Sequence, residues 1–327
     1  MKIRLAAVLL LTAACLGWVL HGLDWSVVGE SLWAFDWVTV VPIVALYFVT
    51  QLLRAQRFRI LLPVHLGFRD SLAVLSVGYL ALHVIPLRMG ELVRPYLARE
   101  RYGIPFGDSL AVVVIERLLD VLLLLAMLGA VAFFVDLPAS IVVQGIDVLA
   151  VGQRLAGGIV AAGVVGIVVV VAVGEPVLRL TDRLPMGAMA RRFRDAIRGL
   201  GSRPAVGAQA FVLTVLTWLI TIVAVYVQLA GFPGLEARWD IALTTWAATL
   251  AGMAAIPTPG FFGGFEASCA AALQLFEIEP SVARTFAILL HLIQFGFTIV
   301  TGLIFVAWEG LSLREIVAKS QQASAAG

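Results

Sequence analysis

Glu116, Arg117 and Asp120 stand together inside an apolar run that extends from about 108 to 134. Glu116 and Asp120 are spaced i, i+4 and share one helix face, and Arg117, three residues before Asp120, reaches its edge. A second charged group, Arg88, Glu91 and Arg94, follows Pro86, with Glu91 and Arg94 spaced to pair along a helix. Glu266 stands alone in a third apolar stretch, and His291 is a titratable residue in a fourth. An ionised side chain near the centre of a bilayer costs roughly 2.5–3.5 kcal/mol on insertion scales. These groups are therefore expected to face a shared polar cavity and to pair with one another. Two uses of such a cavity stay open: a salt-bridge network that only holds the fold, or a binding site for a zwitterionic or anionic headgroup. In the second, Arg88 and Arg94 make direct charge-assisted contacts to an anion. Glu116 and Asp120 as acid and base on a lipid-linked sugar is a further option.

Helix breakers surround these charges. The first set is Pro86 and Gly90; the second is Pro257, Pro259, Gly260, Gly263 and Gly264. Hydrocarbon offers no water to an unpaired backbone group, so a broken helix survives at membrane depth only where it lines an enclosed cavity. Breaks at corresponding places of two halves are a pointer to a transporter's binding site. The half-helix after each bend would aim its N-terminus, with free N–H groups and a positive dipole end, at an anionic ligand. The glycines of the second bend allow close backbone approach to a ligand or tight helix packing. His291, a lone histidine on an apolar span, reads more readily as a satisfied core histidine, and only its register with Glu116 raises it as a candidate.

The elements that must carry these residues are membrane helices. Hydrophobic residues make up 61% of the chain and charged ones 13%, and the mean hydropathy is +1.01. Six apolar segments are long enough to cross a bilayer: about 4–21, 37–53, 108–134, 155–173, 207–230 and 282–307. The stretches 71–102 and 241–277 are apolar but broken, and read as re-entrant hairpins. The fold expected is an all-α integral membrane protein, six transmembrane helices plus two re-entrant hairpins, in one membrane domain over 1–327.

Arginine placement orients it, because short cytoplasmic loops are rich in Lys and Arg. Arg54, Arg57, Arg59 and Arg69 in 54–70, Arg99 and Arg101, and seven arginines between Arg179 and Arg203 mark the inside. Segment 22–36, with Asp24, Glu30 and Asp36, marks the outside, its Trp25 and Trp33 (with Trp37 just beyond) lying along the interface. Both termini are then cytoplasmic, and the two hairpins enter from opposite faces of the cell inner membrane. Residues 1–135 and 154–309 become inverted repeats: adding 175 to Glu91, Pro105 and Glu116 gives Glu266, Pro280 and His291. The loop 175–206 is expected on anionic lipid headgroups, or as a docking site for a soluble partner. The tail 319–327 is expected to be disordered.

Several function classes are excluded or weakened. Cys15 and Cys269, both in apolar segments, are expected to be inert thiols, with no disulfide and no metal site. No Walker loop, Gly-x-Ser-x-Gly, His-Glu-x-x-His or Cys-x-x-Cys is present. No cofactor is implied, and nucleic acid is not an expected partner.

Four segments together resemble a known family: Arg54-Ala55-Gln56-Arg57-Phe58-Arg59-Ile60-Leu61-Leu62, Pro86-Leu87-Arg88-Met89-Gly90-Glu91-Leu92-Val93-Arg94, Glu116-Arg117-Leu118-Leu119-Asp120, and Pro257 to Glu266. They are similar to the lysylphosphatidylglycerol synthase transmembrane-domain family, which includes the flippase half of the multiple peptide resistance factor. The resemblance implies a lipid-translocating membrane domain acting on a modified phospholipid or an isoprenoid-type lipid. A standalone form is expected, without the soluble synthase domain or its activity, with a separate lipid-synthesising enzyme as a possible partner. The runner-up is a proton-coupled secondary transporter of a small anionic solute, working through Glu91, Glu266 or His291.

Overall fold

In the computed structural model the residues described are 17, 19–21, 23–84, 90–136, 142–143, 146–147, 203–255 and 258–310. Expected spans 4–21 (for the most part) and 155–173, nearly all of the loop 175–206 and the tail 319–327 lie outside them, as do Cys15, Pro86, Arg88 and Pro257.

Helices account for most of the described chain. They are α1 (Trp25–Ala34), α2 (Val40–Leu61), α3 (Phe68–Val84), α4 (Val93–Tyr102), α5 (Phe106–Phe134), α6 (Pro204–Gly231), α7 (Trp239–Ala255), α8 (Gly264–Gln274) and α9 (Pro280–Trp308). Short 3₁₀ turns cover Trp37–Thr39 and Pro259–Phe261, and Val142–Val143 pairs antiparallel with Ile146–Asp147. Local chemistry sets the boundaries. The Asp24 carboxylate accepts from the Ser26 N–H at 2.9 Å to start α1, and Glu279 accepts from the Val282 N–H at 2.8 Å to start α9. Pro204 and Pro280 occupy first-turn positions, where a missing N–H costs nothing. Gly103, at φ 67°, closes α4 in the left-handed conformation.

Three described helices are long and apolar enough to cross a membrane: Trp37–Leu61 (the 3₁₀ turn with α2), α6 and α9. Helix α5, the other expected span among these residues, has 29 residues but carries Asp108, Glu116, Arg117 and Asp120. The second expected span, 37–53, runs on to Leu61, because no breaker intervenes between Pro42 and Pro63. Arg54, Arg57 and Arg59, read from the sequence as loop arginines, therefore stand on a helix.

The two halves use elements of matching length. Helices α3 and α7 each have 17 residues, α4 and α8 have 10 and 11, and α5 and α9 each have 29. Their packing is reciprocal: α3 lies on α9, α7 lies on α5, and α2 lies on α6. At one end of the molecule the Asp36 N–H donates to Gly231 O at 2.9 Å, the Asp24 N–H donates to Ser281 Oγ at 3.3 Å, and Trp239 stacks on Tyr226 at 4.1 Å. At the other, Arg69, beginning α3, lies 4.0 Å over the Trp308 ring, and Arg101, ending α4, donates to Glu309 O at 2.9 Å. Both ends of the α3–α4 pair thus meet the C-terminal end of α9.

The bends interlock in the interior. His83, at the end of α3, packs edge-on against Phe261 of the second bend with ring centres 5.5 Å apart. Gly90 lies against α3 so closely that a Cβ there would stand 2.2 Å from the Leu82 nitrogen, so no larger residue fits without movement. One apolar cluster gathers Trp246, Phe265, Phe286 and Leu290 in the second half, and another gathers Phe58, Val77 and Leu97 in the first. Buried threonines such as Thr214, Thr221 and Thr249 donate back to the carbonyl four residues earlier, at 2.6–2.8 Å, which satisfies their hydroxyls without a partner helix.

Candidate functional site

The charges of the first half meet in one buried network, with Arg57 at its centre. Arg57 Nε lies 3.4 Å from Glu116 Oε1, and its Nη1 lies 2.8 Å from both Asp120 Oδ1 and Thr214 Oγ1. Glu116 uses its other oxygen to accept from Arg94 Nη2 at 2.7 Å. Asp120 also takes Arg117 Nη2 at 3.2 Å and the Trp218 Nε1–H at 3.3 Å. Arg57 and Glu116 are each only 1% exposed and Arg94 4%, so in this low-dielectric setting each charge requires its partner. Arg94 also lies 4.6 Å over the Phe58 ring. The network ties α2, α4, α5 and α6 together.

Arg57, and with it the cavity-lining Arg54, is missed as a site candidate from the sequence, where both count among four inside-loop arginines. The available signal was the absence of any helix breaker before Pro63. Continued at 3.6 residues per turn, α2 carries Arg54 and Arg57 well inside its C-terminal end. The expected pairing of Arg94 with Glu91 is replaced by the pairing of Arg94 with Glu116, because α4 packs directly on α5.

Glu266 and His291 form a separate couple. Glu266 Oε1 lies 2.7 Å from His291 Nδ1, and Oε2 accepts from the Gly263 N–H at 2.7 Å. Gly263, at φ 84°, provides a turn that a side chain would strain, and Glu266, three residues on, caps the helix that follows. The His291 ring stacks on Phe265 with centres 4.3 Å apart and planes 12° apart. Both oxygens of Glu266 are engaged, and neither residue lines the cavity described next. The single shared cavity expected for all the charged residues is thus divided: Glu266 is drawn to the helix it caps, and Arg94 and Glu116 are buried behind the wall. Arg88 lies outside the described residues.

Between the two halves lies a partly open cavity of about 200 Å³. Its charged lining is Arg54, Glu91, Arg117 and Asp120, of which the last three were site candidates. The Arg54 guanidinium stands over two aromatic rings, Tyr79 at 5.3 Å and Trp218 at 5.5 Å. Four further polar atoms on lining residues, Tyr47 Oη, Trp246 Nε1, Gln294 Oε1 and Arg117 Nε, are buried and find no hydrogen-bond partner among the described residues. A buried polar atom left unpaired costs about 1–3 kcal/mol, and these four belong to residues that line the cavity. No group of three or more metal-ligating side chains occurs among the described residues.

Comparison with known proteins follows the same lines. The family described as "Lysylphosphatidylglycerol synthase TM region" matches residues 4–302. The chain belongs to this family. Among curated proteins it is similar to "Glycosyltransferase AglD" of Haloferax volcanii, 26% identical over an alignment that covers 98% of this chain and 57% of that protein. The chain therefore spans little more than half the length of that relative. No solved structure matches. All four segments that carried the resemblance in the sequence fall within the matched range. All four contribute to the network or the cavity: Arg54 and Arg57, then Glu91 and Arg94, then Glu116, Arg117 and Asp120, and from the last Phe261.

Proposed function

We propose that this lysylphosphatidylglycerol synthase TM region protein moves a phospholipid or isoprenoid-type lipid between membrane leaflets, its headgroup passing through the cavity between the halves. One observation carries the reading: a polar pocket with unpaired hydrogen-bonding atoms, walled by membrane-type helices of both halves and backed by a buried ion network. Moving a headgroup across hydrocarbon is costly because its charges and hydration must be replaced. A polar pocket at that depth lowers the cost, while the acyl chains stay in lipid. The family and the relative named as a glycosyltransferase both support a lipid-related role.

In this reading α3–α4 and α7–α8 are re-entrant hairpins of an inverted repeat. The meeting of both α3–α4 ends with the end of α9 supports the first. The reciprocal packing of α3 on α9 and α7 on α5 supports the second. Alternating access is then a rocking of one half against the other about the α2–α6 contact. The protein resides in the cell inner membrane with cytoplasmic termini, its Arg-rich loop 175–206 rests on anionic headgroups, and a separate enzyme synthesises the lipid. The protein itself acts without bond chemistry. The test is translocation of labelled lipids in proteoliposomes, wild type against Glu91→Gln and Asp120→Asn. Faster transfer by wild type, reduced at least tenfold in folded variants, supports transport through this cavity; wild-type vesicles no faster than empty ones across phospholipid and isoprenoid lipids refute it.

A further inference from the structure

We propose that the cavity binds an anionic group, a phosphate, and that Arg54 is the residue that selects it. The proposal rests on the transport reading for the lipid that carries the phosphate; the free cation is a property of the wall itself. Arg57, Arg94 and Arg117 each meet a carboxylate, at 2.8, 2.7 and 3.2 Å. Arg54 meets none among the described residues: its contacts are the rings of Tyr79 at 5.3 Å and Trp218 at 5.5 Å. A ring face steadies a guanidinium but offers no lone pair to its N–H fork. Asp120 shares the lining, yet both its oxygens are taken, Oδ1 by Arg57 and the Trp218 N–H, Oδ2 by Arg57 and Arg117. Arg54 is half-buried, lines the cavity, and stands about 10 Å along the axis before the end of α2.

The balance of the whole cluster points the same way. Arg54, Arg57, Arg94 and Arg117 stand against Glu91, Glu116 and Asp120, four positive groups against three negative ones. Outside the described residues, segment 85–89 has Arg88 as its one charged residue, and the apolar runs 5–16 and 155–173 have none. None of these supplies a fourth carboxylate, and Arg88 can only add to the excess. A guanidinium without a counter-ion at membrane depth is costly, and an entering anion offsets that cost. Sugar hydroxyls would leave the positive charge uncompensated, and an ammonium group would add to it. The N–H fork of a guanidinium also meets two phosphate oxygens at once, which fixes the orientation of the group it holds. Arg117, with its side chain 39% exposed on the same lining, adds a second positive charge and shares Asp120 with Arg57.

The experiment is lipid retention by the purified full-length protein, read by native mass spectrometry. The probes are phosphatidylglycerol, a monohexosyl diacylglycerol and the unsubstituted diacylglycerol, all with matched chains, and inorganic phosphate. Phosphatidylglycerol is expected to be retained about tenfold better than either uncharged lipid, the worth of one hydrogen bond to a charged group. Arg54→Gln is expected to remove that preference, and Arg54→Lys, which keeps the charge and loses the fork, to keep part of it. Arg59→Gln, on the same helix and off the cavity lining, is expected to leave it intact. An uncharged lipid retained by the wild type as well as phosphatidylglycerol overturns the proposal even if no variant folds. So does a preference unchanged in Arg54→Gln, or one lost equally in Arg59→Gln. Displacement of phosphatidylglycerol by millimolar inorganic phosphate supports the site with a soluble phosphate as its source, and resistance to displacement supports it with a lipid source. Retention through Arg54 without movement between leaflets would remove the transport reading and leave this one standing. Phospholipid movement undiminished in Arg54→Gln would do the reverse.

Discussion

Replacing Arg57 by methionine is the sharpest test of the ion network. The side chain is 1% exposed and reaches Glu116 at 3.4 Å, Asp120 at 2.8 Å and Thr214 at 2.8 Å. Methionine keeps much of the volume and removes the charge. Each hydrogen bond to a charged group is worth about 1.5–3 kcal/mol, and removing one partner of a buried pair costs about 3–5 kcal/mol because the other charge is stranded. Here the stranding is partial: Glu116 keeps Arg94, and Asp120 keeps Arg117 and Trp218. The expected loss therefore lies at the low end, about 3 kcal/mol, a folded-to-unfolded ratio reduced about 100-fold. The assay is reversible unfolding in mixed micelles, followed by tryptophan fluorescence. Asp120→Asn and the double variant complete a cycle, in which contacting partners are expected to couple by about 0.5–3 kcal/mol. A loss below about 1 kcal/mol in Arg57→Met, or additive effects in the double variant, would refute the network as drawn, whatever the protein transports.

Other expectations follow from particular contacts. Gly90→Val, which brings a side chain against the α3 backbone, is expected to cost about 1–3 kcal/mol by overpacking, measured as a lowered thermal unfolding temperature in detergent; an unchanged temperature would mean the bend has room. Glu266→Ala removes a helix cap and is expected to cost about 0.5–2 kcal/mol, while lipid translocation by the folded fraction in proteoliposomes is unchanged because Glu266 is off the cavity wall. A loss of translocation with normal stability would return Glu266 to the site. Single cysteines at Arg69 and Glu100, in a background with Cys15 and Cys269 replaced by serine, are expected to react with an impermeant thiol reagent from the same side of the membrane. Cysteines at Asp240 and Glu277 are expected to react from the opposite side, and labelling of positions 69 and 100 from different sides would make α3–α4 a crossing segment.

Composition and pattern by themselves determined that this chain is built of apolar helices, where two of them break, and which charges share a face. Proline and glycine act on the backbone locally, so the breaks near Gly90 and at Pro259–Gly263 are legible without any knowledge of neighbours. The i, i+4 spacing of Glu116 and Asp120 is likewise a property of one helix, and the segments that resembled a family lie within the matched residues 4–302. What stands across from those faces was decided by tertiary packing. Arg57 lies 59 residues before Glu116 and reaches it only because α2 and α5 meet in the fold. Glu91 and Arg94, neighbours on paper, part company, one to the cavity wall and the other to Glu116. Glu266 is taken by the helix it caps and by His291 instead of joining the first-half charges. The cavity's uncharged lining, Tyr47, Trp246 and Gln294, was illegible because those residues read as ordinary members of apolar helices. Helical periodicity specifies a direction from one axis; which helix lies in that direction, and which polar atoms are left unpaired there, is set by packing between segments far apart in the chain.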